Sequence, residues 1–305
     1  MRVFITGGSG FVGQWLARDA NRQGDSVIAT DRDVDVTDLP TLTAAVTEAA
    51  PDVVYHLAAM THVGASWESP IEVLRVNVLG TAGVLAAARR CRRQPRVIVV
   101  SSSEVYGAAA HDEPLEETTP VAPVTPYAAS KAAAEQVALQ AWRGYGQPVI
   151  VARPFTHVGP GQDPAFAVSG FARRIVEAQR SGAKSLAVGN LESRRDLTDV
   201  RDVVRAYREL ALFGEPGQIY NICSGRDVAL SEIVSRLLQL AGADLQLVID
   251  PDLLRPVDVA TLRGSARRLI EATGWRPLVP LEQTLRDVLD FWRRQPSGEP
   301  ERQPR

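Results

Sequence analysis

The chain has 305 residues, 45% of them hydrophobic and 23% charged, and a formal net charge of −2. That length holds one large domain or two moderate ones with a real core, and the near-neutral balance gives no general attraction to nucleic acid or an anionic membrane surface. Two cysteines and four scattered histidines show no ligand spacing, so structural thiols are expected rather than a metal site or a disulfide.

Met1-Arg-Val-Phe-Ile-Thr6 reads as a short buried strand. It leaves no room for a signal peptide, and no apolar run is read as reaching the roughly 18 residues of a membrane span, so a cytoplasmic protein is expected. Gly7-Gly-Ser-Gly10-Phe-Val-Gly13 follows at once and leads into an amphipathic helix from Phe11 to about Arg22. Glycines there allow a tight turn and close backbone approach, and the free N–H groups of a helix N-terminus suit a pyrophosphate. Any tight strand-to-helix turn can be glycine-rich, but the position between strand and helix makes a dinucleotide the better reading.

The second strand ends at Asp31. A carboxylate there can hold the adenosine ribose hydroxyls and favours NAD(H). Arg32 is next and could accept a 2′-phosphate, so NADP(H) stays open. Asp35-Val36-Thr-Asp38 is either a solvated acidic loop or part of the cofactor site. Further strands are expected at Val53–Leu57, Val97–Val100 and Val149–Ala152, all Val/Ile-rich without polar alternation, as in parallel strands buried on both faces. Helices Ile71–Arg93 and Pro126–Trp142 connect them. The fold class is therefore α/β, a doubly wound parallel sheet of the Rossmann type.

Thr125-Pro-Tyr127-Ala-Ala-Ser-Lys131 opens the last of these helices, with Thr125 as N-cap and Pro126 in the first turn. Tyr127 and Lys131 then share one face. The ammonium is expected to lower the phenol's pKa and make it a proton donor to, or acceptor from, an alcohol or ketone oxygen. A surface Tyr and Lys on an amphipathic helix is the plainer alternative.

After Arg153-Pro154-Phe155 the regularity breaks. A Gly/Pro-rich loop precedes a helix Phe166–Arg180, a strand Leu186–Gly189 and a polar stretch. A buried strand Gln218–Cys223 and helices Ser231–Ala241 and Leu281–Trp292 come later. Residues 1–155 with 191–223 are assigned to the dinucleotide-binding domain. Residues 156–190 with 224–297 form a smaller substrate-binding α/β part, and 298–305 a disordered tail. Arg195 and Arg255 offer planar forks that suit phosphate, and Asp258 an acceptor for ribose hydroxyls, although surface ion pairs also explain such clusters.

The glycine loop, His56-Leu57-Ala58-Ala59, Ser101-Ser-Ser-Glu-Val-Tyr-Gly107 and Tyr127-x-x-x-Lys131 together resemble the extended short-chain dehydrogenase/reductases, over nearly the whole chain. The resemblance implies a catalytic trio of Ser102, Tyr127 and Lys131. It implies cofactor contacts at Gly7, Gly10, Phe11, Val12, Gly13, Asp31, Arg32, Asp35, Val36, Leu57, Ala58 and Ala59, with Tyr127 and Lys131. It assigns the substrate to Glu104, Thr156, Arg173, Arg195, Arg255 and Asp258. Within the superfamily the segments 153–162, 188–202, 220–225 and 254–265 resemble the GDP-4-keto-6-deoxy-D-mannose reductases, which form GDP-D-rhamnose. The implied partners are a GDP-sugar and a second copy of the chain in a homodimer. Thr156 stands where that family usually has Asn.

The sister GDP-mannose 4,6-dehydratases use the pair after the catalytic Ser/Thr as acid and base, here Ser103-Glu104. No basic insertion of the dehydratase kind follows Asp31, which favours the reductase. Other epimerases or dehydratases of the superfamily, and a dinucleotide-sensing module without turnover, are further alternatives; the retained Tyr127 and Lys131 argue against sensing.

Overall fold

The computed structural model describes residues 1–108, 113–253 and 259–296. Six parallel strands form the central sheet: β1 (Arg2–Thr6), β2 (Ser26–Thr30), β3 (Val53–His56), β4 (Arg96–Val100), β5 (Val149–Pro154) and, after β6 (Thr156–Val158), β7 (Ser185–Val188) and β8 (Arg194–Asp199), β9 (Ile219–Ile222). Their order is β2-β1-β3-β4-β5-β9. Val54, Val97, Ile98, Ile150 and Val151 are fully buried, which is why those runs lack polar alternation.

Helices Phe11–Arg22 and Val200–Phe213 pack together over one face. Leu39–Ala49, Pro70–Arg89 and Pro126–Tyr145 cover the other. Pro126–Tyr145 starts as its sequence dictates: Thr125 Oγ1 accepts from the backbone N–H of Ala128 at 3.1 Å, and Gly146 ends it in the left-handed conformation, φ 66°.

Helix Pro70–Arg89 departs from expectation twice. It is interrupted by a π-helical turn, Arg75–Leu79, and it stops at Arg89 rather than Arg93. Its 20 residues also reach a mean hydropathy of 1.5 over 18 residues, so one apolar helix does attain spanning length. The reason is packing: Val73, Val84, Leu85, Ala87 and Ala88 are buried against the sheet and its neighbouring helices, as in a core helix.

The smaller part is built on β8, which pairs in parallel with β6 and β12 (Thr261–Leu262) and antiparallel with β10 (Asp227–Ala229). A separate parallel pair joins β7 to β11 (Gln246–Ile249). Helices Ala167–Ser181, Leu230–Ala241 and Leu281–Arg294 enclose its core around Phe171, Ile175, Ile233, Leu237 and Leu289. The division between the two parts therefore differs from the one drawn on the sequence. Arg194–Asp199 belongs by pairing to the smaller part, and the chain returns to the large sheet only with Val200–Phe213. Helix Arg267–Thr273 and Trp275 in turn pack against that helix, beside the nucleotide half. The tail 298–305 lies outside the described residues.

Candidate active site

Strands β1 and β3 are neighbours although β2 intervenes in sequence, so the winding reverses between them and opens a crevice at their C-terminal ends. The glycine loop after β1 and the segment Leu57–Ala59 after β3 line it. Gly7 has φ +71°, and a Cβ there would lie 2.8 Å from the Ala58 nitrogen; a Cβ on Gly13 would lie 2.2 Å from the Gly7 carbonyl oxygen. Only glycine fits either place. Helix Phe11–Arg22 starts at Gly10 with no side-chain cap, leaving the N–H end that Phe11, Val12 and Gly13 present available to an anion.

Asp31 stands at the rim, its Oδ2 accepting from the Ser9 backbone N–H at 3.0 Å and from the Ser9 hydroxyl. Arg32 is exposed beside it. Asp35 accepts from Thr37 N–H and Oγ1, both at 2.8 Å, and these bonds hold its carboxyl below the usual range. Val36 is buried, and the glycines of the adjoining helix leave its space: a Cβ on Gly80 would meet Val36 Cγ2 at 2.6 Å.

Two buried side chains tie this crevice to the helix that carries Tyr127. His56 is only 3% exposed and bridges Thr6 Oγ1 (Nδ1, 2.9 Å) and Thr81 Oγ1 (Nε2, 3.0 Å). Thr81 spends its own proton on the Asn77 carbonyl, so His56 must donate from Nε2 and accept at Nδ1. Burial, with Lys131 nearby, pushes the imidazole down to about 3, and it stays neutral. Asn77, within the π-helical turn, clamps Met60 through its N–H (2.8 Å) and carbonyl (3.1 Å) and donates to Ser130 Oγ at 2.8 Å.

The Ser102 hydroxyl lies near enough to the Tyr127 phenol to act on its ionisation, and Lys131 Nζ donates to the Val100 carbonyl at 2.8 Å. The three sequence-derived candidates thus converge at the C-terminal end of β4. The electrostatic expectation is corrected, however. Burial raises the Tyr127 phenol to about 12; Ser102 works the other way and the Glu104 charge adds to the rise. Desolvation dominates at the phenol, and Lys131 is itself buried and pulled down to about 8, with Glu135 opposing that fall. Glu104 N–H bonds Ser102 Oγ at 3.2 Å, and Ser103 is buried, so the accessory pair lies beside the trio.

On the substrate side Thr156 opens β6 opposite Leu197 of β8. Its neighbour His157 stacks on Phe11, ring centroids 6.2 Å apart and planes 3° from parallel, joining the two halves above the crevice. Arg195 is 9% exposed and donates to the Val259 carbonyl at 2.7 Å, so it sits where the segment carrying Arg255 and Asp258 re-enters the described chain. Arg255 and Asp258 themselves lie outside the described residues. Arg173 pairs with Glu177 at 2.6 Å and lies over Trp292, which turns it toward the helix packing. The residue that the sequence reading missed is its neighbour Arg174. Its Nε is buried with no hydrogen-bond partner, and burial lowers its pKa, with the charges of Glu177 and then Asp250 opposing. Helical spacing alone does not separate the two arginines; only the packing of Trp292 does. No group of three or more potential metal ligands occurs among the described residues.

The profile of the NAD dependent epimerase/dehydratase family matches residues 3–223. The chain belongs to that family. It is 37% identical over 295 residues to the GDP-6-deoxy-D-mannose reductase of Pseudomonas aeruginosa, covering 95% of this chain and 97% of that protein. It is 31% identical to the human dTDP-D-glucose 4,6-dehydratase over 79% of this chain and 69% of the relative. Among solved structures, RMD from Pseudomonas aeruginosa complexed with NADPH superposes with a TM-score of 0.86 at 36% identity, over 95% of this chain and 98% of that one. The glycine cradle, the uncapped helix end and the Asp31 carboxylate fit a nicotinamide dinucleotide, with Gly7, Gly13 and Ala58 so close that a Cβ on either glycine would clash.

Proposed function

We propose that the protein reduces the C4 ketone of GDP-4-keto-6-deoxy-D-mannose to GDP-D-rhamnose. The reaction class rests on the convergence of Ser102, Tyr127 and Lys131 beside a dinucleotide cradle. The observation that carries the substrate is the likeness to a GDP-6-deoxy-D-mannose reductase along almost the full length of both chains.

A bound NAD(P)H would supply the hydride. Ser102 and Tyr127 are placed to hydrogen-bond the substrate oxygen, and Tyr127 to pass it a proton as charge develops there. Lys131, seated on the Val100 carbonyl, stands one helical turn from the phenol as the cation beside it. Gly7, Gly10, Phe11, Val12 and Gly13 hold the pyrophosphate, Asp31 the adenosine ribose, and Asp35, Val36 and Leu57–Ala59 the remaining walls. Arg195, Arg255 and Asp258 take the GDP moiety, with Arg174 added and Arg173 demoted to packing. Asp31 favours NAD(H), since its carboxylate repels a 2′-phosphate.

A homodimer is part of the proposal. The outer face of Pro70–Arg89 exposes Ile71 (76%), Leu74 and Leu79, and the neighbouring Pro126–Tyr145 exposes Trp142 and Tyr145, a surface suited to burial against its own copy. A reducing, cytoplasmic setting suits the two buried, unpaired thiols of Cys91 and Cys223.

The second reading, a dehydratase, is favoured by one observation: Glu104 lies close enough to Tyr127 to raise its pKa and stands ready as a base. Incubating the purified protein with reduced cofactor and the 4-keto sugar, then identifying the product by NMR, tests the reductase. GDP-D-rhamnose is expected; recovery of unreduced ketone would reject it.

A further inference from the structure

Tyr127-x-x-x-Lys131 continues as Lys131-x-x-x-Glu135, putting a third polar side chain on the same face of the helix one turn deeper. Glu135 is 1% exposed and forms a two-pronged ion pair with Arg153 of β5, itself 2% exposed, at 2.7 and 2.6 Å. The Ser101 hydroxyl donates to the same carboxylate. Arg153 also donates to Tyr106 Oη at 3.0 Å, and Tyr106 donates to Asn221 Oδ1 at 2.7 Å, so the pair is braced from β9 and from the turn after Ser102. A carboxylate and a guanidinium this deep are costly to desolvate, and replacing such a pair by apolar residues is often neutral or stabilising. Ser101 shows what the pair does here: it lies between Val100, whose carbonyl receives Lys131, and Ser102, whose hydroxyl meets Tyr127.

We propose that Glu135, locked to Arg153, is a positioning residue: it fixes Ser101, and through it both the Ser102 hydroxyl and the carbonyl that seats Lys131. The proposal rests on the ketone-reducing role of Ser102, Tyr127 and Lys131. Glu135 is also the charge that opposes the loss of the Lys131 proton on burial. The other groups around the ammonium are Tyr127 on its own helix, neutral His56 from β3, Glu104 beside Tyr127, and Arg153 of β5, which reaches it only across Glu135.

The chain holds only two lysines, Lys131 and Lys184. Lysine labelled with carbon-13 at Cε therefore gives two signals, assigned with Lys184→Arg, and reports Lys131 without substrate or cofactor. In Glu135→Gln the Lys131 midpoint is expected to fall by about one unit or more, the scale of a removed neighbouring charge. Because that change strands a buried Arg153, the double variant Glu135→Gln/Arg153→Met provides a folded check with the same expected shift. Ser101→Ala keeps the charge, so its midpoint should stay while kcat drops about tenfold or more at unchanged cofactor Kd. A Lys131 midpoint unmoved in the double variant, or wild-type kcat in Ser101→Ala, would overturn the proposal. Should the wild type not reduce the 4-keto sugar, the functional reading fails, while the NMR titration still decides the role of Glu135.

Discussion

The two halves of the molecule make their sites by different means. In the nucleotide half the backbone does the work: glycines at 7 and 13 close a loop on itself, and a helix end and Ala58 supply the wall. Side chains could vary around such a cradle with modest effect. Among the described residues the substrate half has no comparable backbone device. It relies on charged side chains held by buried partners: Arg195 on the Val259 carbonyl, and Asp196, fully buried, accepting from Ser224, Gly225 and Gly264. One half is therefore sensitive to added atoms and the other to removed charges.

The largest expected effect falls where the halves meet. Tyr127→Phe should lower kcat by about 10²-fold or more, the range of general-acid catalysis, with NAD(P)H affinity nearly unchanged in a binding titration. Retained turnover would separate Tyr127 from the chemistry. Within the substrate half, Arg195→Ala should weaken GDP binding by about 1.5–3 kcal/mol, roughly tenfold to a hundredfold, and leave the cofactor Kd alone. Calorimetry that found the reverse would invert the comparison.

The pH dependence sharpens the same boundary. Lys131 titrates near 8 because burial lowers it, so its ammonium is complete at lower pH and lost as pH rises through that value. The kcat/KM profile should show an alkaline limb there, falling about tenfold per unit beyond it, with no limb from the neutral His56 above pH 5. The smallest effect belongs to the carboxylate at the cradle's rim. Asp31→Ala should shift preference from NADH toward NADPH by severalfold in kcat/KM. A wild type already strongly selective for NADPH would show that Arg32 governs that rim.

Much of the nucleotide half was legible because its signals are local. A strand buried on both faces is a run of Val and Ile, and a turn that admits only glycine is written as glycine. What escaped was set by partners distant in sequence. Arg194-Arg-Asp-Leu-Thr-Asp199 reads as a charged surface stretch, yet it is the strand on which the smaller sheet is built, because distant N–H groups satisfy Asp196. The helix after it did carry a signal: Val200, Val203, Val204, Tyr207, Leu210 and Ala211 follow helical spacing and are all buried. The spacing of Tyr127 and Lys131 placed the pair correctly but gave the wrong sign for the phenol, since burial is not visible in an i, i+4 pattern. The π-helical turn at Asn77 and the Glu135–Arg153 pair likewise depend on tertiary contacts.

The central claim, that this site delivers a hydride to a C4 ketone and keeps none, is tested most directly by counting cofactor. With GDP-4-keto-6-deoxy-D-mannose, one equivalent of NAD(P)H should be oxidised per product formed, GDP-mannose should be left essentially untouched, and Glu104→Gln should have a mild effect. Efficient conversion of GDP-mannose without net cofactor use, abolished by Glu104→Gln, would contradict the account and establish a dehydratase.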